Sequence, residues 1–284
     1  MNEVVYMINK GILKSNIEKY RKYASICLPI KSLCNDGLLS FIDTDGCSFL
    51  LDSGAQIEFI NSLRIDKDLC VFGTTKSYFD LKDAIKNGIS RFVISSKEEF
   101  DFIFNNAKIV NGITIMVNAS SMIEDSLFDR FGVAYNELVE LIEYVKKYAN
   151  LESLSFHIQG NQKNKEHYVE IYDKLVSILH KYNIPALNLG GIPFKVLIEV
   201  IEKIPLYSDI KLIVEPGNSL FNDAISIKSY VCYVNTKSKT INLNIGIYNG
   251  LLDILLYDNK IELIAEKIVK IWLNIKFMDH LQIV

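Results

Sequence analysis

The sequence predicts a (β/α)8 TIM barrel, and three observations lead to that prediction. Eight short runs rich in β-branched residues alternate with longer amphipathic segments, a pattern typical of parallel strands joined by helical crossovers. Each repeat takes roughly 20–30 residues, and eight such repeats match this barrel. No GxGxxG turn occurs in the chain, whereas a doubly wound open sheet, the competing architecture, usually has a glycine-rich first turn.

The elements of the barrel follow in a regular order. The predicted strands are ICLPIK (26–31), CSFLLDS (47–53), CVFGTT (70–75), RFVISS (91–96), ITIMVNAS (113–120), LSFHI (154–158), ALNLGG (186–191) and LIVEPG (212–217). The segments between them carry apolar residues at helical spacing, as in AQIEFINSL (55–63), YFDLKDAIKNG (78–88), NELVELIEYVKKYA (136–149), HYVEIYDKLVSILHKY (167–182) and FKVLIEVIEKI (194–204). Gly88 is expected to end its helix in the left-handed conformation.

Two flanking regions lie outside the eight repeats. Residues 3–24 predict a short strand and a helix, and residues 226–257 predict antiparallel strands of a small β region. The tail has a wide apolar stripe at helical spacing, formed by Ile261, Ile264, Ile268, Ile271, Trp272 and Ile275. This stripe predicts a helix that packs on the rest of the chain or, alternatively, forms a dimer face. We therefore expect a barrel over residues 1–225 and a partial β region with a C-terminal helix over 226–284.

Composition narrows the class of protein. The 284 residues carry a net charge of −3 without a basic cluster, so nucleic acid is not an expected partner. Five scattered cysteines without a CxxC pair argue against a disulfide framework or a zinc site. No apolar run approaches the roughly 20 residues that cross a bilayer, and the N-terminus lacks the pattern of a signal peptide. We expect a cytoplasmic protein without a metal and without membrane contact.

Candidate functional residues stand where the predicted strands end. In a barrel of this kind the carboxyl ends of the strands form the functional mouth. The polar residues and glycines expected there are Lys31, Asp52, Ser53, Thr74, Thr75, Lys76, His157, Gly190, Gly191, Glu215 and Gly217.

Lys31 and Glu215 are the most informative of these residues. A lysine that is partly desolvated in the mouth is a usable amine nucleophile for a Schiff base with an aldehyde; the alternative is a rim lysine paired with Asp52 or Glu215. Glu215 follows a very apolar strand and needs a positive or protonated partner. A protonated pyridine nitrogen meets that need, as does a plain Lys or Arg.

His157 and the Gly190–Gly191 pair complete the set. A lone histidine at the end of an apolar strand is either a core histidine or a flat ring that stacks on an aromatic cofactor. The glycine pair, followed by a helix N-terminus, suits a phosphate, although such pairs also form simple tight turns. A Schiff-base lysine, a stacking ring, a phosphate site and a carboxylate for a pyridinium are together the parts that hold pyridoxal 5'-phosphate (PLP).

Several segments resemble the barrel domain of the PLP-dependent ornithine/diaminopimelate/arginine decarboxylases, which share the barrel of alanine racemase. The segments, in order, are LPIKSLCND, GCSFLLDSGAQIEFI, DRFGV, SFHIQGN, LNLGGIPF, VEPGNSL and NIGIYNGLLDILLYD. The resemblance implies that Lys31 binds the PLP aldehyde and His157 stacks on its ring. It also implies that Gly190, Gly191 and Gly217 contact the cofactor, and that Glu215 pairs with the pyridine nitrogen.

The chain also departs from that family's pattern. Asn218 stands where the phosphate-binding arginine of E-P-G-R is expected, Ile192 replaces a third glycine, and Leu50 replaces an aspartate. The fifth strand lacks an arginine, HIQGN lacks a serine, and no segment after residue 258 resembles the family's Cys-Asp and Tyr elements. We expect a cytoplasmic PLP-dependent decarboxylase-like protein for a diamino acid, forming a homodimer or a heterodimer with a complete homologue.

Three alternatives remain open. The chain is a catalytically inactive regulator or subunit of a hetero-oligomer, a fragment from an interrupted gene, or a barrel that binds another phosphorylated small molecule at Gly190–Gly191.

Overall fold

A computed structural model describes residues 4–32, 35–39, 46–73, 77–123, 131–158, 164–237 and 240–246. The strands are β1 Val5–Ile8, β2 Ser25–Pro29, β3 Ser48–Leu51, β4 Cys70–Phe72, β5 Arg91–Ile94, β6 Gly112–Val117, β7 Leu151–Phe156, β8 Ala186–Asn188, β9 Lys211–Val214, β10 Ile225–Lys228, β11 Val231–Asn235 and β12 Thr240–Leu243. The helices are α1 Lys10–Arg21, α2 Asp36–Leu39, α3 Gly54–Ser62, α4 Tyr78–Lys86, α5 Lys97–Asn106, α6 Leu138–Val145, α7 Lys165–Lys181, α8 Phe194–Ile201 and α9 Asn218–Phe221.

The central feature is a closed parallel barrel in the order β2-β3-β4-β5-β6-β7-β8-β9. The predicted (β/α)8 barrel is thereby confirmed, and the open sheet is excluded because β2 also pairs with β9. Each of the eight predicted barrel strands is present, but all eight end two or three residues earlier than predicted. β2 ends at Pro29, where the chain enters the 3-10 turn Ile30–Ser32.

Side chains alternate between the inside of the barrel and its helical cover. Cys27, Leu50, Val71 and Val93 come from four successive strands and form one buried cluster, with Met116 and Ile213 packed against it. Neighbours such as Leu28 and Phe72 are fully buried. Strands buried on both faces read as continuous apolar runs, which explains why these segments lack clear polar alternation.

The helix ends follow their capping signals. Ser96 accepts a hydrogen bond from the Glu99 N–H at the start of α5, and Asn164 accepts one from the His167 N–H at the start of α7. Gly88 follows α4 with φ +81°, so its predicted left-handed conformation is confirmed.

The chain divides into two compact units. One comprises Lys10–Ala224 and contains the barrel; the other combines the residues up to Asn9 with those from Ile225 onward. In this second unit β1 pairs with β10, and β11 with β12, both antiparallel. The antiparallel strands predicted after the barrel are thus present. The predicted strand at 251–257 and the C-terminal helix lie outside the described residues.

A search of the described part of the chain finds no helix with the length and apolar character needed to cross a membrane. Within the same ranges no group of three or more His, Cys, Asp or Glu side chains is placed to hold a metal ion.

Candidate functional site

The candidate site lies at the carboxyl ends of the barrel strands. Asp52, His157 and Glu215 each come directly after the last residue of a strand, namely after β3, β7 and β9. Lys31 follows β2 by two residues, and Gly190 follows β8 by two. These residues were predicted to end their strands; they belong instead to the loops that immediately follow. Thr74, Thr75 and Lys76 lie outside the described residues.

Lys31 sits in a short 3-10 turn, Ile30–Ser32, that continues from β2. Its Nζ atom is 3.8 Å from Asp52 Oδ2, with side-chain exposures of 65% for Lys31 and 29% for Asp52. With 65% of its side chain exposed, Lys31 is mostly solvated, so the desolvation that the sequence analysis expected for its amine is small. An ion pair this exposed contributes about 0–1 kcal/mol, so Asp52 holds the amine only weakly.

Lys31 and Glu215 follow neighbouring strands. The closing pair of the barrel, β2 and β9, is in register at Ser25↔Ile213 and Ile26↔Val214. Beyond these strands the two loops stay close, because a Cβ placed on Gly217 would lie 3.3 Å from Ser32 Oγ. The amine and the carboxylate are thus on the same side of the barrel mouth, not on opposite rims.

Glu215 is held in a partly buried hydrogen-bonded network. Asn188 Nδ2 donates to Glu215 Oε1 at 2.7 Å, and the Gly190 N–H donates to Asn188 Oδ1 at 2.9 Å. Burial raises the pKa of the Glu215 carboxyl above its ordinary value and the Asp52 carboxylate adds to this, while the Asn188 hydrogen bond and the Lys31 ammonium oppose it. A buried carboxylate of this kind is stabilised by a partner that carries a proton and a positive charge.

Gly190 and His157 are close neighbours. Gly190 has φ +59°, and a Cβ placed on it would lie 2.6 Å from the Phe156 carbonyl oxygen and 3.0 Å from His157 Nδ1. Only glycine fits such a close approach without strain. Gly191 follows, and α8 begins at Phe194 after Pro193, which offers no side-chain cap. The Tyr20 hydroxyl packs against this start of α8, where it contacts the Phe194 backbone and donates to the Ile192 carbonyl oxygen at 3.0 Å.

A cavity of about 370 Å³ lies inside the barrel beneath this network. Asn188 and Glu215 line it near the mouth, and Arg91, Glu152 and Lys211 line it at the amino ends of the strands. Small side chains such as Cys27 and Ser153 leave this space open. Since several lining groups are polar, the cavity suits water.

Sequence reasoning missed one member of the site and underrated another. Asn188 was not singled out, although the sequence shows an amide at the end of a buried strand, two residues before a Gly-Gly pair. Asp52 was considered only as an alternative partner of Lys31, and it is the partner that the structure provides. Asn218, at the position expected to hold an arginine, is the exposed first residue of α9.

The structure is a closed parallel barrel with a lysine, a carboxylate and a glycine turn at its mouth. Barrels of this class frequently bind a phosphate group at that end. The family described as pyridoxal-dependent decarboxylase, pyridoxal binding domain, matches residues 12–222. The chain belongs to this family, which confirms the resemblance found in the sequence and the prediction of PLP as the cofactor.

Individual relatives are distant. A diaminopimelate decarboxylase from Haemophilus influenzae is 23% identical over 241 residues, which cover 74% of this chain and 58% of that protein. The chain thus matches less than two thirds of that relative's length.

Solved structures share the fold. The lysine/ornithine decarboxylase from Vibrio vulnificus complexed with cadaverine has a TM-score of 0.78 at 18% identity, with 93% of this chain and 77% of that chain covered. The arginine decarboxylase of Paramecium bursaria Chlorella virus has a TM-score of 0.75 at 17% identity, with coverages of 91% and 76%.

Proposed function

We propose that this chain binds PLP and takes part in the decarboxylation of an amino acid, with a diamino acid as substrate. One observation carries the proposal: the Lys31 amine and the Glu215 carboxylate follow adjacent strands, β2 and β9, at one end of the barrel. The names of the relatives, which act on diaminopimelate and on lysine or ornithine, support the substrate class.

The residues present fit this cofactor. The glycine at position 190 lets the turn after β8 pack directly against Phe156 and His157, which places the turn beside the proposed stacking ring. α8 begins three residues after Gly191, and the positive end of a helix dipole favours a phosphate nearby. Burial raises the pKa of the Glu215 carboxyl, and a protonated ring nitrogen would supply the cationic partner that stabilises a buried carboxylate.

Each residue then has a definite task. Lys31 presents an exposed amine for covalent attachment, and Asp52 lies 3.8 Å from that amine as a weak ion-pair partner. Glu215 would accept a hydrogen bond from the ring nitrogen and keep it protonated, while His157 would cover a ring face. The Gly190 N–H already donates to Asn188 Oδ1, so the Gly190–Gly191 turn would shape the phosphate site rather than bind through that N–H, with Gly217 keeping its loop close to Ser32. Bound PLP supplies the electron sink for the carbon–carbon bond that loses CO2.

Covalent labelling tests the proposal directly. The purified protein is incubated with PLP, reduced with borohydride and digested, and the pyridoxyl adduct is located by mass spectrometry. We expect the adduct on Lys31, together with a visible absorption band before reduction that the Lys31→Ala variant lacks. Lys82→Ala, an exposed lysine on α4, is the matched control and should keep both signals. Adducts scattered over surface lysines, or none at all, would contradict the proposal.

The substrate class requires a separate measurement. Release of CO2 from ornithine, lysine and diaminopimelate is compared with release from alanine, using protein shown to carry the Lys31 adduct. We expect release from at least one diamino acid and none from alanine. Release from alanine alone would reject the proposed substrate class.

A non-catalytic role is the second candidate, and Asn218 favours it. At this position an arginine would make a charge-assisted bond to phosphate, worth about 1.5–3 kcal/mol, which the exposed asparagine does not supply. In this role the chain would be a subunit that pairs with a complete homologue. Attachment of PLP without CO2 release from any diamino acid, combined with co-purification of such a homologue, would favour this candidate.

A further inference from the structure

We propose that Asn188 is a positioning residue that fixes the Glu215 carboxylate and the Gly190 turn in a single arrangement for the cofactor. This inference rests on the proposed function, and it gives a role to a residue of the LNLGGIPF segment that the sequence analysis did not assign.

Asn188 is the last residue of β8 and is only 6% exposed. Its amide uses both ends: Nδ2 donates to Glu215 Oε1 at 2.7 Å, and Oδ1 accepts from the Gly190 N–H at 2.9 Å. A carboxamide donates from Nδ2 and accepts at Oδ1 without any change of protonation. The side chain therefore suits this position at any pH.

Backbone hydrogen bonds also link the loop after β8 to the loop after β9. The Glu215 N–H donates to the Gly190 carbonyl oxygen at 2.8 Å, and the Leu189 N–H donates to the Ile213 carbonyl oxygen at 2.9 Å. The loop after β8 and the loop after β9 are thus tied by main-chain and side-chain bonds. A shift of Asn188 would move both the carboxylate and the glycine turn that abuts His157.

The titratable groups around Asn188 and Glu215 determine how this hydrogen-bonded network responds to pH. Lys31 and Asp52 act on the Glu215 carboxyl, the Cys27 thiol lies beneath it in the cavity, and His157 lies beside Gly190. Replacing the amide by a carboxyl adds a second acid next to Glu215. Two adjacent carboxylates resist ionising together, so the pair retains a proton to higher pH.

Two variants test the two hydrogen bonds of the Asn188 side chain. Asn188→Asp keeps an acceptor for the Gly190 N–H but donates to Glu215 only while one carboxyl of the pair is protonated. Asn188→Leu removes both bonds at similar volume. Ser90→Ala is the control, because Ser90 is also a buried, hydrogen-bonded polar residue, but it lies at the amino end of β5.

The first experiment is a titration of each variant with PLP, followed by the visible band, over a range of pH. We expect Asn188→Leu to bind about ten- to a hundredfold more weakly at every pH, and Ser90→Ala to match the wild type. Asn188→Asp should approach the wild type at low pH and fall progressively behind as pH rises. An Asn188→Asp defect that does not vary with pH, or no defect in either variant, would overturn the proposal.

The second experiment needs no cofactor. Urea unfolding of Asn188→Leu, Glu215→Leu and the double variant forms a cycle, in which we expect the double variant to be less destabilised than the sum of the single variants. Additive effects would reject the coupling of Asn188 to Glu215. If the wild type fails to bind PLP, the proposed function fails, and the cycle still decides whether Asn188 holds Glu215.

Discussion

At the scale of single residues, Glu215 shows how burial couples a carboxyl group to pH. Its pKa is raised chiefly by burial, so the folded chain binds a proton more readily than the unfolded chain does. By linkage, stability must fall as pH rises from the ordinary carboxyl pKa through the raised one. The loss is about 1.4 kcal/mol for each unit by which the pKa is raised.

Glu215→Gln should remove this pH dependence. The glutamine oxygen still accepts from Asn188 but never ionises, so the variant should be more stable than the wild type at neutral pH and similar to it in acid. Urea unfolding without cofactor, repeated across this pH range, measures the difference. The exposed Glu58→Gln on α3 serves as control, and parallel pH curves for wild type and Glu215→Gln would refute the assignment.

The conformation and surroundings of Gly190 predict that any side chain at this position lowers the free energy of unfolding. Both its φ of +59° and the proximity of the Phe156 carbonyl oxygen oppose a Cβ, so Gly190→Ala should destabilise the protein by about 1–3 kcal/mol. Gly88 also has a positive φ, but a Cβ there would meet nothing within 4 Å. Gly88→Ala therefore measures the conformational cost alone. Equal losses of unfolding free energy in the two variants would show that the contact with Phe156 carries no penalty.

At the scale of elements, the amino ends of β5, β6 and β7 form a second polar arrangement. Arg91 Nε on β5 bonds both carboxylate oxygens of Glu152 on β7, at 3.0 and 3.1 Å. Gly112 starts the strand between them, and a Cβ there would overlap the Glu152 carboxylate. The glycine thus leaves the space through which Glu152 reaches across β6 to Arg91.

Gly112→Ala should displace this ion pair. We expect a loss of about 1–3 kcal/mol in unfolding free energy, as for other overpacked sites, measured in urea. In a Glu152→Ala background the same substitution should cost less, because the space has been vacated. An identical cost in both backgrounds would mean that Gly112 is needed for another reason.

At the scale of the whole barrel, closure and cofactor binding are linked. The closing strands β2 and β9 share only the register pairs Ser25↔Ile213 and Ile26↔Val214. A cofactor held by Lys31 at the first strand and Glu215 at the last would join the two ends of the barrel. Binding to the folded state alone adds stability by mass action, about 2.7 kcal/mol at a hundredfold excess over Kd.

Thermal unfolding tests this link. We expect PLP to raise the Tm of the wild type, and the gain to be largely lost in Lys31→Arg, which keeps a cation beside Asp52 but lacks the amine for covalent attachment. Lys82→Arg is the control and should retain the gain. An equal rise in Lys31→Arg would mean that covalent attachment contributes nothing to stability.

The sequence by itself determined the order and type of the barrel strands, the left-handed end of α4 at Gly88 and the family. These depend on local signals, namely β-branched runs, helical periodicity, a glycine at a helix end and short ordered motifs. Strand ends were predicted less well, since pairing stops where a neighbouring strand stops or, at β2, where the 3-10 turn at Ile30 begins.

Only the tertiary structure decided which side chains meet. Residues 188 and 215, or 91 and 152, are distant in the chain, and their contacts arise from strand register and from glycines that leave room. The exposure of Lys31 and its pairing with Asp52 depend on a turn after β2, which the apolar run before it does not specify. The physical reason is the same throughout: periodicity reports what each segment buries, whereas barrel closure determines which strand ends become neighbours.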